Sequence, residues 1–235
     1  MRPVSLRSLA SAFLATALLA GSSFSTTRYS FGFEEPTQFN AAAQQDGFIP
    51  LFDGKSFAGW EGDRHWFRIE DETIIAGSLK KDIPHNYFLC TEATYSDFEL
   101  KLEVKLQGIG DNAGVQFRTK RLPNTTEVSG YQGDVGRAWN RNVWGWLYDE
   151  SRRNKVLAEA KDEVVDKALK KDDWNELRIK AVGPKIEIFL NGVPTVTFVE
   201  SDDTADRTGI IGLQIHSGPP TEALYRKIRI KDLSK

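Results

Sequence analysis

The sequence predicts an all-β protein built as an antiparallel sandwich or jelly roll. Three observations support this fold class. Apolar and polar residues alternate with a period of two in several segments, which is typical of half-buried strands. Glycine, asparagine, aspartate and proline separate these segments, as turns require, and helical periodicity is weak.

The first strands follow from alternation in the first half of the chain. Phe98, Leu100 and Leu102 alternate with charged residues and predict a strand with one face buried. The segment 113–118 repeats the pattern, with Ala113, Val115 and Phe117 on the apolar side. The same period predicts the later strands, which are 177–181, 186–190, 195–199, 211–216 and 224–230.

Two local signals connect these elements. Asn191-Gly192 is a strong two-residue hairpin signal between strands 186–190 and 195–199. Lys155–Leu169 is the only stretch with helix-forming residues, and we expect a short helix within it at Ala160–Leu169.

Composition excludes several classes of protein. The chain has 235 residues and a net charge of −2, which fits one large β domain. No basic run is present, so we expect no nucleic-acid partner. The single cysteine, Cys90, lies in an apolar strand-like run and is interpreted as a small buried hydrophobe rather than a nucleophile.

The N-terminus resembles an export signal. Arg2 and Arg7 precede the apolar run Leu9–Ala20, and small residues follow. We therefore predict a signal peptide at 1–23, a flexible linker at 24–46 and one domain at 47–235, with a periplasmic or extracellular location. An uncleaved anchor is the alternative, and no other segment is predicted to span a membrane.

Polar residues interrupt the outward side of three predicted strands. If those strands were neighbours, Glu103, Gln116, Arg118, Gln214 and His216 would share one surface. Two of these residues have a non-functional alternative: Glu103 also fits a solvated strand face, and Arg118 also fits an exposed strand end. Gln214 and His216 interrupt a strongly apolar strand, and histidine is suited to acid–base chemistry near neutral pH.

Ser129–Leu157 is interpreted as a long functional loop at the edge of this sheet. It mixes tryptophans with Gln132, Asp134, Tyr148 and Glu150, a combination suited to sugars. Trp144 and Trp146 have either a stacking or a packing role. A divalent metal on Asp134, Glu150 and His216 is possible, although the spacing matches no metal motif and no cofactor fingerprint is present.

Six motifs follow one another along the chain. They are Leu51–Trp60, Asp111–Arg118, Gly130–Asp134, Trp144–Glu150, Trp174-Asn175 with Asn191-Gly192, and Ile211–Gly218 with Tyr225–Ile230. Together, over about Gly47 to Leu233, these motifs and their order resemble the 3-keto-disaccharide hydrolase family, with Lys227 where asparagine is usual.

The resemblance implies a concanavalin A-like jelly roll of two antiparallel sheets that cleaves glycosides oxidised to a ketone at C3. Cleavage would proceed by hydrolysis or by C2-proton abstraction and elimination at C1. On this hypothesis His216, Glu150 and Asp134 are the catalytic residues. The expected substrate-binding residues are Glu103, Arg118, Gln132, Trp144, Tyr148 and Gln214.

Two other functions stay open at the level of sequence. The same sandwich serves carbohydrate-binding modules without catalysis, and fold alone does not choose between them. A structural domain of an exported assembly is the third possibility. That alternative predicts that Gln132, Asp134, Glu150 and His216 do not converge in space.

Overall fold

A computed structural model describes residues 46–234 of the chain. These residues form two antiparallel sheets of eight strands each, and the all-β prediction is confirmed. The predicted signal peptide and nearly all of the predicted linker lie outside the described residues. Within the described part of the chain, no helix is long and apolar enough to cross a membrane.

Sixteen strands and one short helix make up the described residues. The first eight strands are β1 (Ile49–Pro50), β2 (Trp60–Glu61), β3 (Phe67–Glu70), β4 (Thr73–Ser78), β5 (Tyr87–Thr91), β6 (Phe98–Gly108), β7 (Asn112–Arg121) and β8 (Val128–Ala138). The rest are β9 (Arg141–Asn142), β10 (Leu147–Glu150), β11 (Lys155–Ala158), α1 (Asp162–Ala168), β12 (Asn175–Val182), β13 (Lys185–Leu190), β14 (Val193–Val199), β15 (Ile210–Ile215) and β16 (Thr221–Asp232).

The strand order places the candidate residues on different sheets. The first sheet has the order β14-β13-β12-β6-β16-β4-β3, with β1 paired to β16. The second sheet has the order β11-β10-β8-β7-β15-β5-β2, with β9 paired to β8. Strands β7 and β15 are therefore neighbours, whereas β6 lies in the other sheet.

The core fills the space between the two sheets. Leu100 and Ile179 from the first sheet share one buried cluster with Val115, Val135 and Leu213 from the second. Leu100, Val115, Ile179 and Leu213 are in phase with the apolar side predicted for their strands, whereas no strand was predicted around Val135. Cys90 is buried as expected, and burial raises the pKa of its thiol to about 12.

Local predictions are mostly confirmed, with one clear exception. The short helix α1 forms inside the predicted segment, and Asn191 and Gly192 have the positive φ angles of a tight hairpin turn. The interpretation of Ser129–Leu157 as a long loop is wrong. Most of it is strand. The sequence does not reveal these strands, because glycines and polar residues in β8 obscure the period-two alternation.

Candidate active site

A polar cleft of about 370 Å³ lies on the outer side of the second sheet. This volume is within the range typical of small-molecule sites. The cleft brings together five of the predicted site residues with others that the sequence did not indicate. Its lining is Asn86, Asn112, Gln132, Asp134, Arg137, Ala138, Trp139, Tyr148, Glu150 and His216.

Two neighbouring strands supply most of the polar floor. Gln132 and Asp134 are alternate residues of β8, and Tyr148 and Glu150 are alternate residues of β10. Tyr148 pairs with Gln132 across the two strands, so their side chains lie on the same outer side. His216 directly follows β15 and closes the cleft from the other direction. This convergence counts against a purely structural domain.

A buried chain of hydrogen bonds orients Asp134. The Thr119 hydroxyl donates to Gln116 Oε1 over 3.1 Å, and Gln116 Nε2 donates to Gln132 Oε1. Gln132 Nε2 then donates to Asp134 Oδ1 over 2.8 Å. Because each amide must turn its oxygen toward the preceding donor, the chain fixes which side of Asp134 receives a proton donor.

Space for these amides depends on a glycine in the adjacent strand. Gly114 pairs with Asp134 across β7 and β8. A Cβ atom at Gly114 would lie 2.4 Å from the Gln132 side chain, so a larger residue would displace that amide. The glycine in the Asp111–Arg118 motif thus serves the geometry of the floor.

Burial keeps the acids of the floor protonated to higher pH than usual. Asp134 is only 6% exposed, and burial raises its pKa to about 8, with the charge of Glu150 adding to the effect. Burial also raises the pKa of Glu150, and Glu127 acts in the same direction. Near neutral pH the floor therefore holds at least one carboxylic acid able to donate a proton.

His216 presents one ring nitrogen as a proton acceptor. Its Nδ1 lies 2.7 Å from the backbone carbonyl of Ser217. A carbonyl oxygen only accepts, so Nδ1 carries the proton and the neutral ring keeps a lone pair on Nε2. Asn86 accepts a hydrogen bond from the Ser217 amide over 2.9 Å and holds this turn in place.

Gln214 lies beneath the floor rather than on the cleft wall. It is fully buried, and its Nε2 lies 3.4 Å from Glu150 Oε2. Its Oε1 has no hydrogen-bond partner within the described residues. An unsatisfied buried oxygen costs stability, which is typical of functional positions.

Glu103 does not share this surface, and the expectation that it would is wrong. Strand β6 belongs to the first sheet. There Glu103 accepts hydrogen bonds from Arg226 at 2.6 Å and from Lys227 at 2.8 Å. Alternation shows which residues of one strand lie on the same side. It does not show which sheet the strand joins, because that depends on strand pairing.

Arg118 also lies away from the cleft, in contrast to its predicted role. A β-bulge follows Phe117, and Arg118 has a φ of 48° and is 1% exposed. Its guanidinium donates to the carbonyls of Ser96 and Gly183 and to Asp97 Oδ1. The bulge breaks the alternation, so this arginine anchors loops at the ends of first-sheet strands.

Trp144 lines a different cavity. It is 7% exposed and belongs to the core cluster, and it borders a second cavity of about 550 Å³ next to Asp166 and Asn175. Trp146 is fully buried in the same cluster. Both tryptophans pack in the core, and Trp144 does not line the cleft that holds the other predicted residues, so its substrate contact stays a prediction.

The sequence did not indicate Asn86, Asn112, Arg137 and Trp139 as site residues. Asn112 and Arg137 lie at the ends of β7 and β8, where alternation carries no information about a shared cleft. Trp139 follows β8 directly and was the one detectable signal, as an aromatic residue among polar ones. Glu127 lies close enough to His216 and Asn86 to affect the charge of the cleft.

The proposed metal set is not formed. Among residues 46–234, no group of three or more histidine, cysteine, aspartate or glutamate side chains lies together as a metal site. Asp134, Glu150 and His216 line one cleft but do not meet at one point in the way that ligands do.

Solved structures share this fold at low identity. A "putative glycosyl hydrolase" from Parabacteroides distasonis matches with a TM-score of 0.59 and 21% identity, covering 79% of this chain and 99% of that one. The carbohydrate-binding module CBM66 of Bacillus subtilis matches with a TM-score of 0.52 and 15% identity, covering 74% and 96%. A Bacillus subtilis protein with a galectin-like fold matches with a TM-score of 0.56 and 13% identity, covering 79% and 94%.

These likenesses confirm the concanavalin A-like jelly roll, and together with the family match they define a carbohydrate-active protein. The family model described as 3-keto-alpha-glucoside-1,2-lyase-like domain matches residues 47–231. The chain belongs to this family, and the resemblance of its motifs is confirmed. No curated protein matches the chain.

Proposed function

We propose that this protein is an exported enzyme that cleaves 3-keto-glycosides at C1. The observation that carries the proposal is the convergence of His216, Asp134 and Glu150 in one cleft of the second sheet. The cleft combines an available base, His216, with one carboxylic acid, Asp134, that burial keeps protonated near neutral pH. One group that can accept a proton and a second group that can donate one are what acid–base catalysis requires.

The chemistry follows from the ketone. A C3 ketone acidifies the C2 proton, and His216 Nε2 would remove it to give an enolate. When the enolate collapses, the C3 carbonyl re-forms, a C1–C2 double bond appears and the C1–oxygen bond breaks. A protonated carboxyl of the floor would donate its proton to the departing oxygen. Water adding at C1, with a proton returning to C2, would complete a net hydrolysis.

The remaining floor residues would position the sugar. Tyr148 and Asn112 border the cleft and can contact hydroxyl groups. Gln132 would bind substrate only with donor capacity that is not already used on Asp134. A binding module is the rival function, yet binding alone gives no reason for an acid buried beside a second acid, as Asp134 is.

Aglycone release from a 3-keto-glucoside, compared with the same glucoside lacking the ketone, tests the reaction. We expect release only from the oxidised substrate. In D2O, elimination followed by hydration leaves deuterium at C2 of the product, whereas direct displacement leaves hydrogen there. Cleavage of both glucosides at similar rates would refute the role of the ketone, and binding without cleavage of either would favour the rival module.

Replacing His216 tests the assignment of the base. We expect His216→Ala to lower kcat by about 10² to 10⁴, the usual contribution of a general base. His65→Ala is the matched control, because His65 is highly exposed and lies outside the cleft. Unchanged turnover in His216→Ala would remove His216 from the mechanism.

Export is part of the same proposal and is supported by the basic and apolar N-terminal segment. Expression of the full chain in a Gram-negative host should yield a shortened protein in the periplasm or medium. N-terminal sequencing of that protein would locate the cleavage point, for which residues 21–23 are expected. A full-length protein retained in the membrane would favour the anchor.

A further inference from the structure

An exposed tryptophan stands at the rim of the cleft. Trp139 is 64% exposed, and it lines the cleft with Tyr148 and Arg137. It lies in the two-residue turn Trp139-Asn140 that joins β8 to β9, where Ala138 pairs with Arg141. A single exposed hydrophobic residue is common on protein surfaces, so the informative feature of Trp139 is its position in the lining of a polar cleft.

The backbone of this turn is unfavourable for tryptophan. Trp139 and Asn140 have φ angles of 49° and 61°, both in the left-handed region. Asparagine tolerates that region, but a bulky side chain with a Cβ atom is disfavoured there. Strained residues at the edge of a cleft are often retained because the side chain is needed in that place.

Hydrogen bonds hold the turn against the second sheet. Arg137 Nη2 donates to the carbonyl of Asn140 over 3.2 Å. Asn112 Nδ2 donates to the carbonyl of Arg137 over 2.8 Å, and the Arg137 amide donates to the carbonyl of Asp111. The indole is therefore carried on a fixed turn, which reduces the entropy lost when a ligand binds to it.

The indole has an aromatic neighbour. The ring centroids of Trp139 and Tyr148 lie 6.0 Å apart, with the planes inclined by 45°. Both rings line the cleft that also contains Asp134 and Glu150, and together they give it an aromatic wall. A ligand that fits must offer an apolar face to the wall and hydroxyl groups to the floor, which is the character of a pyranose ring.

We propose that Trp139 is a stacking platform for the leaving sugar of a 3-keto-disaccharide. The inference rests on the proposed function and names its substrate class, since a sugar rather than a small alkyl group would occupy the aglycone side. Trp139 is 64% exposed, whereas the acid Asp134 is 6% exposed, so the contact of Trp139 is with the outer sugar.

Kinetics on two substrates test the platform. With a 3-keto-disaccharide, we expect Trp139→Ala to raise KM about tenfold with little change in kcat, a loss within the range of one aromatic stacking contact. With methyl 3-keto-glucoside, both constants should stay near wild type. Trp139→Phe should recover part of the loss. Ile109→Ala is the control, because Ile109 is 79% exposed and lies outside the cleft.

The opposite results would overturn the platform. Equal losses on both substrates, or an unchanged KM for the disaccharide, would each do so. If the wild type cleaves neither substrate, the proposed reaction fails but the platform is still tested by calorimetry with the 3-keto-disaccharide. Binding about tenfold weaker in Trp139→Ala supports it, and equal or undetectable binding in both proteins refutes it.

Discussion

The outer sides of the two sheets have the same polar alternation but opposite physical character. On the first sheet, charges pair with opposite charges and remain partly exposed, as Glu103 does with Arg226 and Lys227. On the second sheet, Gln116 and Asp134 are buried. Charges on the first sheet are satisfied by partners and water, whereas the second sheet keeps polar groups dry.

The difference indicates where function lies. Burying polar groups costs free energy unless every one is hydrogen-bonded. The second sheet leaves Gln214 Oε1 without a partner among the described residues and holds Asp134 protonated. Substitutions in the cleft of the second sheet should therefore affect activity, whereas substitutions of the partly exposed ion pairs on the first sheet should affect only a small part of stability.

The largest effect is expected for Asp134→Asn. The amide keeps the shape of the carboxyl but cannot donate a proton as an acid, so kcat on a 3-keto-glucoside should fall by about 10² to 10⁴. In the wild type the acid is lost above a pKa of about 8, so turnover should decline as pH rises through that value. Steady-state kinetics from pH 6 to 10 measure both effects.

The same substitution should make the fold more stable relative to the wild type as the pH rises. The folded pKa of about 8 lies above the ordinary value of 3.8, so the folded protein binds the extra proton between these pH values. Wild-type stability relative to Asp134→Asn should therefore fall as pH rises from about 4 to 8. Urea unfolding at pH 5 and pH 8 tests this, and a wild-type advantage that grew with pH would contradict it.

Arg118→Leu should produce the next largest effect, on stability alone. The change removes three hydrogen bonds that tie the second sheet to Ser96, Asp97 and Gly183. We expect a loss of about 2 to 4 kcal/mol in the free energy of unfolding, because a buried guanidinium loses its hydrogen bonds to partly buried partners. Urea unfolding measures this loss. If kcat/KM per folded molecule fell instead while stability held, Arg118 would be a substrate-binding residue after all.

Gln116→Leu should have an intermediate effect on both properties. It breaks the hydrogen-bond chain at the first of its two amides and leaves Gln132 Oε1 without its donor. We expect a loss of about 1 to 3 kcal/mol in stability, the cost of one unsatisfied buried group. Because the Gln132 amide would be free to turn, the pKa of Asp134 should rise further, which the pH profile of kcat would report. An unchanged profile would show that the chain does not orient Asp134.

The sequence was sufficient for most of the fold and for part of the site. Alternation located β6, β12 and β15, because one side of each strand is buried and period two is a local property. It did not reveal that β6 belongs to a different sheet from β7, since pairing depends on residues far apart in the chain. The β-bulge that rotates Arg118 away from the cleft is a local departure from the same period.

The site predictions also depend on whether the residues are close together in the sequence. Gln132, Asp134, Tyr148 and Glu150 come from two strands that are adjacent in the sheet and close in sequence, so their convergence was accessible from the sequence. The sequence does not distinguish Trp139 from Trp144 and Trp146 as a site residue, because it does not show which tryptophans pack in the core. Burial, rather than residue type, distinguishes the three.

The smallest effect is expected for Glu103→Gln on the first sheet. Burial opposes ionisation of Glu103, but Lys227 and Arg226 together lower its pKa below 4.5. Its ion pairs therefore stabilise the fold above that pH and lose their contribution as the carboxylate is protonated at lower pH. Because the pairs are partly exposed, the variant should lose less than about 1 kcal/mol at pH 7, and this loss should shrink as the pH falls below 4.5, by urea unfolding. Its kcat/KM should equal the wild-type value, and a marked loss of activity would mean that the first sheet also contributes to the site.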